Sequence, residues 1–345
     1  MRRESKDVAI VGAGVVGLSV AYHLSELGAS VVVYERSGIG AGASGVQPGG
    51  IRQQWGTRVN CLLARESLRF YVQARELLQM RVDPGFRACG YLFLAHSEDA
   101  LARLGQSVEL QNELGVPSRI VAPAEAAELV PDLQAEGLAG GAWCAEDGYF
   151  DRPQAIVEAL GALADVRRHE VRSLDELQAG TVVVAASADT PRLLPELPIR
   201  PEPRVLRLSD PIRERLLEPL VVSAERGFAA KQLADGRVLA SGPRAAIEEV
   251  LPRLVHVALP HRIEGVYDVT PDHQAILGAR HVPGTGRRDR VWVAAGFSGH
   301  GFMQAPAVGR ILAEAIMDGR EDEALRVLDP GRFAEGRLVP EPQIV

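Results

Sequence analysis

The sequence predicts an α/β unit interleaved with an α+β unit built on an antiparallel sheet, and three observations predict it. The stretch from Asp7 to Gly45 spells strand, glycine loop, helix and second strand. Short alternating runs at Leu220–Ser223 and at residues 227–233 and 237–241 have the pattern of an antiparallel sheet. Continuous apolar runs at residues 181–186 and 291–295 read as buried strands, the first of the parallel type, and they lie far from the first two strands. The expected division is discontinuous: residues 1–50, 148–195 and 266–345 form the nucleotide-type domain, and residues 51–147 and 196–265 the second domain.

Asp7–Val11 is a β-branched run, Gly12-x-Gly14-x-x-Gly17 follows at once, and apolar residues then recur at helical spacing up to Gly28. Residues 31–34 form the second strand, closed by Glu35. Each glycine has a mechanical reason. Gly12 lets the strand turn sharply, Gly14 lets backbone approach a pyrophosphate, and Gly17 lets helix pack close to strand. The helix N-terminus then faces the phosphates. Glu35 stands where an acid accepts hydrogen bonds from an adenosine ribose and repels a 2′-phosphate, which favours FAD or NAD over NADP. The unit is Rossmann-like.

Further along, residues 57–80 and 99–114 have helical patterns, and Tyr91–Ala95 reads as a strand between them. Proline-containing turns at Pro123 and Pro131 punctuate short helices. Asp151 is the expected N-cap of a helix with Pro153 in its first turn. The proline-rich passage 191–203 is expected to cross between domains. After the strand at 291–295 come Gly296-Phe297-Ser298-Gly299-His300-Gly301 and a helix over 303–317. This second strand–loop–helix unit has no ribose acid after it. Its expected job is to aim loop N–H groups and a helix N-terminus at an electron-rich ligand.

A chain of 345 residues can bury a large core and form two domains. Its net charge of −7, with no basic block, argues against nucleic acid and against an anionic membrane surface. No apolar run approaches the roughly 18 residues of a membrane span, and no hydrophobic signal segment precedes the first strand, so integral membrane association is not expected and a cytoplasmic location is. Cys61, Cys89 and Cys144 lack metal-ligand spacing and are expected as reduced core thiols. Of the 38 basic residues only Lys6 and Lys231 are lysines. Lysine is a compact, titratable cation where arginine stays charged, which marks Lys231 for attention.

The opening fingerprint with Glu35-Arg36 and Gly40-Ala41-Gly42-Ala43-Ser44-Gly45, taken with Thr270-Pro271-Asp272-His273 and Gly296-Phe297-Ser298-Gly299-His300-Gly301, resembles the FAD-dependent D-amino acid oxidase superfamily. Gly49-Gly50-Ile51-Arg52-Gln53-Gln54 brings the likeness closest to the sarcosine oxidase and sarcosine or proline dehydrogenase β-subunit branch. The resemblance covers nearly the whole chain. It implies FAD, a βαβ flavin domain and a substrate domain on an antiparallel sheet. It further implies that Gly12, Gly14, Gly17, Glu35, Arg36, Ala43 and Ser44 hold the ADP half, that Val171 presents backbone to adenine, and that Gly299, His300, Gly301, Phe302 and Met303 line the isoalloxazine. Gly265 stands where monomeric sarcosine oxidases carry a flavin-linking cysteine, which implies noncovalent FAD. Met303 stands where they carry a lysine, so half of their carboxylate clamp is absent.

The chemistry implied is oxidation of a C–N bond of an amino acid or amine by hydride transfer to flavin N5, the imine then hydrolysing, with oxygen or a carrier as acceptor. Positioning carries most of such catalysis, so the site needs an anchor more than a triad. Arg52 is the candidate anchor for a substrate carboxylate, which a guanidinium grips bidentately; flavin phosphate or a surface acid are its alternative partners. Lys231 is the candidate cation for oxygen activation, or else a solvated strand lysine. Tyr267 either closes over the substrate or is a core aromatic. Two rivals stay open: a flavin-bearing subunit or assembly factor acting mainly through a protein contact, and an NAD-dependent dehydrogenase. Homo- and hetero-oligomers are both compatible with the sequence.

Overall fold

The computed structural model describes residues 7–281 and 288–342. Lys6, and the outer edges of the nucleotide-type domain at residues 1–6 and 343–345, lie outside the described residues.

Six strands form the first sheet, in the order Ile276–His281, Arg288–Ala295, Thr181–Val184, Asp7–Val11, Ser30–Glu35 and Val166–Arg168. All neighbours are parallel except the edge strand Ile276–His281. Side chains alternate across a strand, so Val8 and Ile10 enter one apolar cluster while Ala9 and Val11 enter another on the opposite face. The helices Val15–Glu26 and Gly301–Asp318 cover the first face, burying Leu18, Leu24, Val308 and Leu312. Both glycine loops therefore open at the same, carboxyl edge of the sheet, after Asp7–Val11 and Arg288–Ala295 on either side of Thr181–Val184, where doubly wound sheets bind ligands.

The second sheet has eight strands, in the order His261–Val269, Arg200–Leu208, Val238–Ser241, Phe228–Gln232, Leu220–Ser223, Tyr91–Ala95, Gly140–Cys144 and Arg119–Val121. It is antiparallel except where Leu220–Ser223 runs parallel to Tyr91–Ala95. Leu92, Leu94, Val221 and Phe228 pack on one face, and Tyr91, Phe93 and Val222 on the other, beneath the helix Glu98–Glu113. A small third sheet joins Gly50–Ile51, Gly148–Phe150 and Phe86–Arg87.

Several expectations need correction. The helix over 57–80 is two helices, Arg58–Val72 and Ala74–Leu77, because the backbone tightens at Gln73, whose N–H donates to the Phe70 carbonyl at 3.0 Å. Tyr71 and Ala74, on either side of the break, are both buried in the core. Asp151 is not an N-cap. Its carboxylate accepts from Arg87 Nε at 2.6 Å and from the Ala234 N–H at 3.2 Å, tying the small sheet to the loop after Phe228–Gln232, and Pro153 opens the helix without a side-chain cap. The proline-rich passage contains the start of the strand Arg200–Leu208. Pro201 and Pro203 are tolerated there because that half of the strand pairs only with His261–Val269, which leaves one backbone edge free of ladder bonds. The expected domain boundary at 265/266 falls inside the strand His261–Val269. Among the described residues no helix is long and apolar enough to cross a membrane.

Candidate functional site

The nucleotide end is built by backbone crowding. Gly12 has φ +111°, and a Cβ there would lie 2.4 Å from the Ala185 carbonyl oxygen. A Cβ on Gly17 would lie 2.0 Å from the Gly12 carbonyl oxygen, so this glycine serves helix–strand packing and lies behind the loop surface. Gly14 occupies the N-cap of Val15–Glu26 without a side-chain cap, and the Val15 N–H donates to Ser44 Oγ at 2.9 Å. Glu35 holds the loop, since its carboxylate accepts from the Ala13 N–H at 3.0 Å and from the Ser37 N–H at 2.8 Å. Arg36 reaches across to Asp189 at 2.6 Å, an ion pair that is about half exposed.

A cavity of about 620 Å³ starts from Glu35, Arg36 and Val171, passes Gly12, Gly14, Ala43 and Ser44, and ends at Tyr267, Gly299, Gly301 and Phe302. These residues fit an FAD. A glycine cradle and an uncapped helix N-terminus suit a diphosphate, an acid stands at the end of the second strand for the ribose, and a second glycine loop stands at the far end for a ring system. Gly17, His300, Met303, Arg52 and Lys231 are not on the cavity wall.

These last four residues form the layer behind the far end. Gly299 has φ +92°, and a Cβ there would lie 2.4 Å from the Tyr267 ring, so the loop lies directly on that ring. The Arg204 guanidinium stands over the same ring, 5.2 Å from its centroid, and lines the cavity beside it. His300 is buried, its ring edge-on to Trp55 at 4.3 Å, and burial followed by the nearby Arg52 charge holds its pKa well below the usual imidazole value. It is therefore a neutral imidazole. Met303 follows on the same helix, its methyl 3.6 Å from the position of a Cβ on Gly50.

Arg52 is 2 % exposed. Its guanidinium lies 3.6 Å over the Trp55 ring and 5.1 Å from that of Phe93, and Nη1 donates to the Gln54 carbonyl at 2.8 Å. Burial pushes its pKa down, opposed by Glu341, Tyr91 and Asp147. The solvated-lysine alternative for Lys231 is excluded: it is 2 % exposed, donates to the Pro48 carbonyl at 2.5 Å and stands 4.0 Å over the Tyr149 ring. Burial brings its pKa down to about 7, with Cys89 and Asp151 opposing. Pro48 lines the cavity, so Lys231 touches the wall from outside.

Sequence reasoning missed two buried acids here. Asp147 is fully buried, accepts from the Gln53 N–H at 2.8 Å and from Gln54 Nε2 at 3.1 Å, and is pushed up to about 6 by burial. Nothing in Glu146-Asp147-Gly148 distinguishes it from a turn acid. Asp268 is on the cavity wall and accepts from the Gly296 N–H at 2.8 Å, and its burial raises its pKa. Its place two residues before Thr270-Pro271-Asp272 was a usable signal. Asp272 itself has a structural partner: it forms a fully buried ion pair with Arg332 at 2.9 Å.

Comparison with known proteins agrees with this geometry. Bovine FAD-dependent oxidoreductase domain-containing protein 1 is 28% identical over 92% of this chain and 82% of its own length. The 4-methylaminobutanoate oxidase (formaldehyde-forming) of Paenarthrobacter nicotinovorans is 25% identical over 94% of this chain, which spans 45% of that protein. The crystal structure of L-proline dehydrogenase from P. horikoshii superposes with a TM-score of 0.88 at 26% identity, covering 98% of this chain and 100% of that one. The family described as FAD dependent oxidoreductase (DAO) matches residues 7–315, and its members use FAD as cofactor. The chain belongs to the DAO family of FAD-dependent oxidoreductases.

Proposed function

We propose that the chain oxidises the C–N bond of an amino acid or of a secondary or primary amine, giving an imine that water hydrolyses, with oxygen or an electron carrier as final acceptor. One observation carries the reading: a single cavity joins the Gly12–Gly14 loop to Tyr267, Gly299 and Phe302, with a buried arginine behind its far wall. The names of two similar proteins, a methylaminobutanoate oxidase and a proline dehydrogenase, favour a secondary amine that carries a carboxylate. FAD supplies the hydride acceptor, at N5 of its ring system.

The chain's own residues then bind and orient. Gly12, Gly14, Ala43, Ser44 and the helix N-terminus hold the diphosphate, Glu35 and Arg36 the ribose side, and Val171 the adenine. Gly265 offers no nucleophile, which supports noncovalent binding. Gly299, Gly301 and Phe302 face the ring system, with His300 and Met303 supporting them from behind. Tyr267 closes over the amine. Arg52 anchors the carboxylate, a role supported by its place behind the far wall, where its charge adds to burial in holding down the His300 pKa and, with Arg204, opposes the rise that burial gives Tyr267. Lys231 supplies positive charge on the oxygen side from behind Pro48. The two-domain division is supported by the two large sheets, apart from the strands Gly50–Ile51 and His261–Val269, which cross its boundaries. A cytoplasmic setting is supported by three cysteines that form no disulfide.

Anaerobic mixing with glycine, sarcosine, proline, D-amino acids and N-alkyl amines tests this. Loss of the flavin's visible colour with at least one secondary amino acid, restored on admitting oxygen or a carrier dye, is expected. Colour that survives the whole panel contradicts the reading and favours a flavin-bearing subunit acting through protein contacts.

A further inference from the structure

Residues 52–57 belong to no helix or strand, yet the side chains of Arg52, Gln53, Gln54 and Trp55 are all 2 % exposed or less. An irregular segment that is buried must find partners for its backbone groups away from any ladder. Here two acids distant in sequence supply them. Asp147 accepts from the Gln53 N–H and from Gln54 Nε2. Glu341, also 2 % exposed, accepts from the Gly56 N–H at 2.8 Å, Thr57 Oγ1 at 2.7 Å and Asn60 Nδ2 at 2.8 Å.

The second acid grips the residue that opens the next helix. Thr57 is the N-cap residue of Arg58–Val72 but makes no side-chain cap bond: its hydroxyl donates to Glu341 and accepts from Gln274 Nε2 at 3.1 Å. Glu341 is in turn seated on the core: its N–H donates to the Asp272 carbonyl at 3.1 Å, and Asp272 is held by Arg332. Asn60 accepts from Gln304 Nε2 at 3.0 Å, which links the same cluster to the helix that follows His300. Between the two acids stands Trp55. Its indole N–H donates to the Arg52 carbonyl at 3.1 Å, its face carries the Arg52 guanidinium, and its ring packs against His300.

We propose that Asp147 and Glu341 act as the two jaws of a vise, positioning residues that fix Trp55 and, through it, the placement of the Arg52 guanidinium that selects carboxylate-bearing amines. This deepens the proposed function and rests on it for the substrate class. Neither acid touches substrate or cofactor. Each acts through the segment it grips, and because Arg52 is the first residue of that segment and stacks on Trp55 within it, a small displacement at Gly56 is transmitted to the anchor.

The variants Glu341→Gln, Glu341→Asp and Asp147→Asn test the vise. In Glu341→Gln, KM for a secondary amino acid rises about tenfold, a change of about 1.4 kcal/mol, while kcat and the KM of the same amine lacking its carboxylate stay within about threefold. Glu341→Asp, which keeps the charge on a shorter stem, recovers part of the loss, and Asp147→Asn shows the same split. Hydrogen exchange on the flavin-free protein gives a readout that needs no turnover: peptides covering residues 52–60 exchange faster in Glu341→Gln, while those covering residues 7–28 do not. An equal rise in KM for both substrates, an unchanged KM, or unchanged exchange at 52–60 each overturns the proposal. If no amine reduces the flavin of the parent protein, the proposed function fails separately, and the vise is then decided by exchange together with benzoate binding read from the flavin spectrum. Weaker benzoate binding in Glu341→Gln supports it, and equal binding overturns it.

Discussion

The two ends of the cavity are built on different principles. At the nucleotide end, nearly every contact is made by backbone or by residues within one βαβ unit: Gly12 against Ala185, Gly17 against Gly12, Glu35 on Ala13 and Ser37. At the far end, buried ionisable groups come from six separated stretches, Arg52, Asp147, Lys231, Asp268, His300 and Glu341, and Arg52 is in electrostatic reach of Asp147, Glu341 and His300. The difference is one of cost and purpose. A crowded backbone turn is inexpensive and recognises what all dinucleotides share. A buried charged layer is expensive to fold and has value only where it orients a particular reactant.

The sharpest way to break the first end is Gly17→Ala. Its new methyl cannot coexist with the Gly12 carbonyl oxygen 2.0 Å away, so strand and helix must part. FAD affinity is expected to fall by at least about a hundredfold, nearly 3 kcal/mol, measured by titrating apoprotein with FAD. Unchanged affinity would mean that the loop tolerates separation from the helix.

At the second end, Arg52→Lys keeps a cation but loses the planar stack on Trp55. KM for a carboxylate substrate is expected to rise about tenfold or more, roughly 1–2 kcal/mol, with FAD affinity unchanged. An unchanged KM would remove Arg52 as the anchor.

Two of the buried groups with displaced pKa values, Lys231 and Asp147, should respond to pH in opposite directions. Lys231, lowered from 10.5 to about 7, favours the fold in its neutral form, so stability present above pH 10.5 is lost as pH falls towards 7. Lys231→Met should therefore gain melting temperature over the parent as pH is lowered from 10 to 7, by up to a few kcal/mol of stability. Asp147, raised from 3.8 to about 6, favours the fold when protonated, so stability present below pH 3.8 is lost as pH rises through 6. Asp147→Asn should gain over the parent as pH rises from about 4 to about 6, by up to about 3 kcal/mol. Differences that run the other way, followed by calorimetry across pH, would show that these groups are better solvated than their burial implies.

The smallest effect is expected back at the nucleotide end. The Arg36–Asp189 pair is about half exposed, and exposed pairs contribute under about 1 kcal/mol. Asp189→Asn should change FAD affinity less than about threefold.

The same contrast explains what could be read from the sequence. Asp7–Val11, Tyr91–Ala95 and Leu220–Ser223 match the expected strands residue for residue, because short-range apolar patterning decides them. The glycine loop was legible for the same reason. The vise was not. Asp147 and Glu341 act on Gln53 and Gly56 from 94 and 285 positions away, and no local spacing marks an acid for such a task. Lys231 stood out by its rarity, but only the fold reveals that it is buried on Pro48 and Tyr149. Asp151 looked like a cap and became a tether, because Arg87 arrives from a paired strand of its own small sheet and Ala234 from the loop after Phe228–Gln232.

The most direct measurement of the whole is anaerobic stopped-flow reduction of the FAD-loaded protein by a secondary amino acid, with hydrogen or deuterium on the carbon next to nitrogen. Bleaching that saturates with substrate and slows with deuterium is the expected result. A flavin that keeps its colour with every amine, or that bleaches with no deuterium effect, would contradict amine oxidation by hydride transfer at this site.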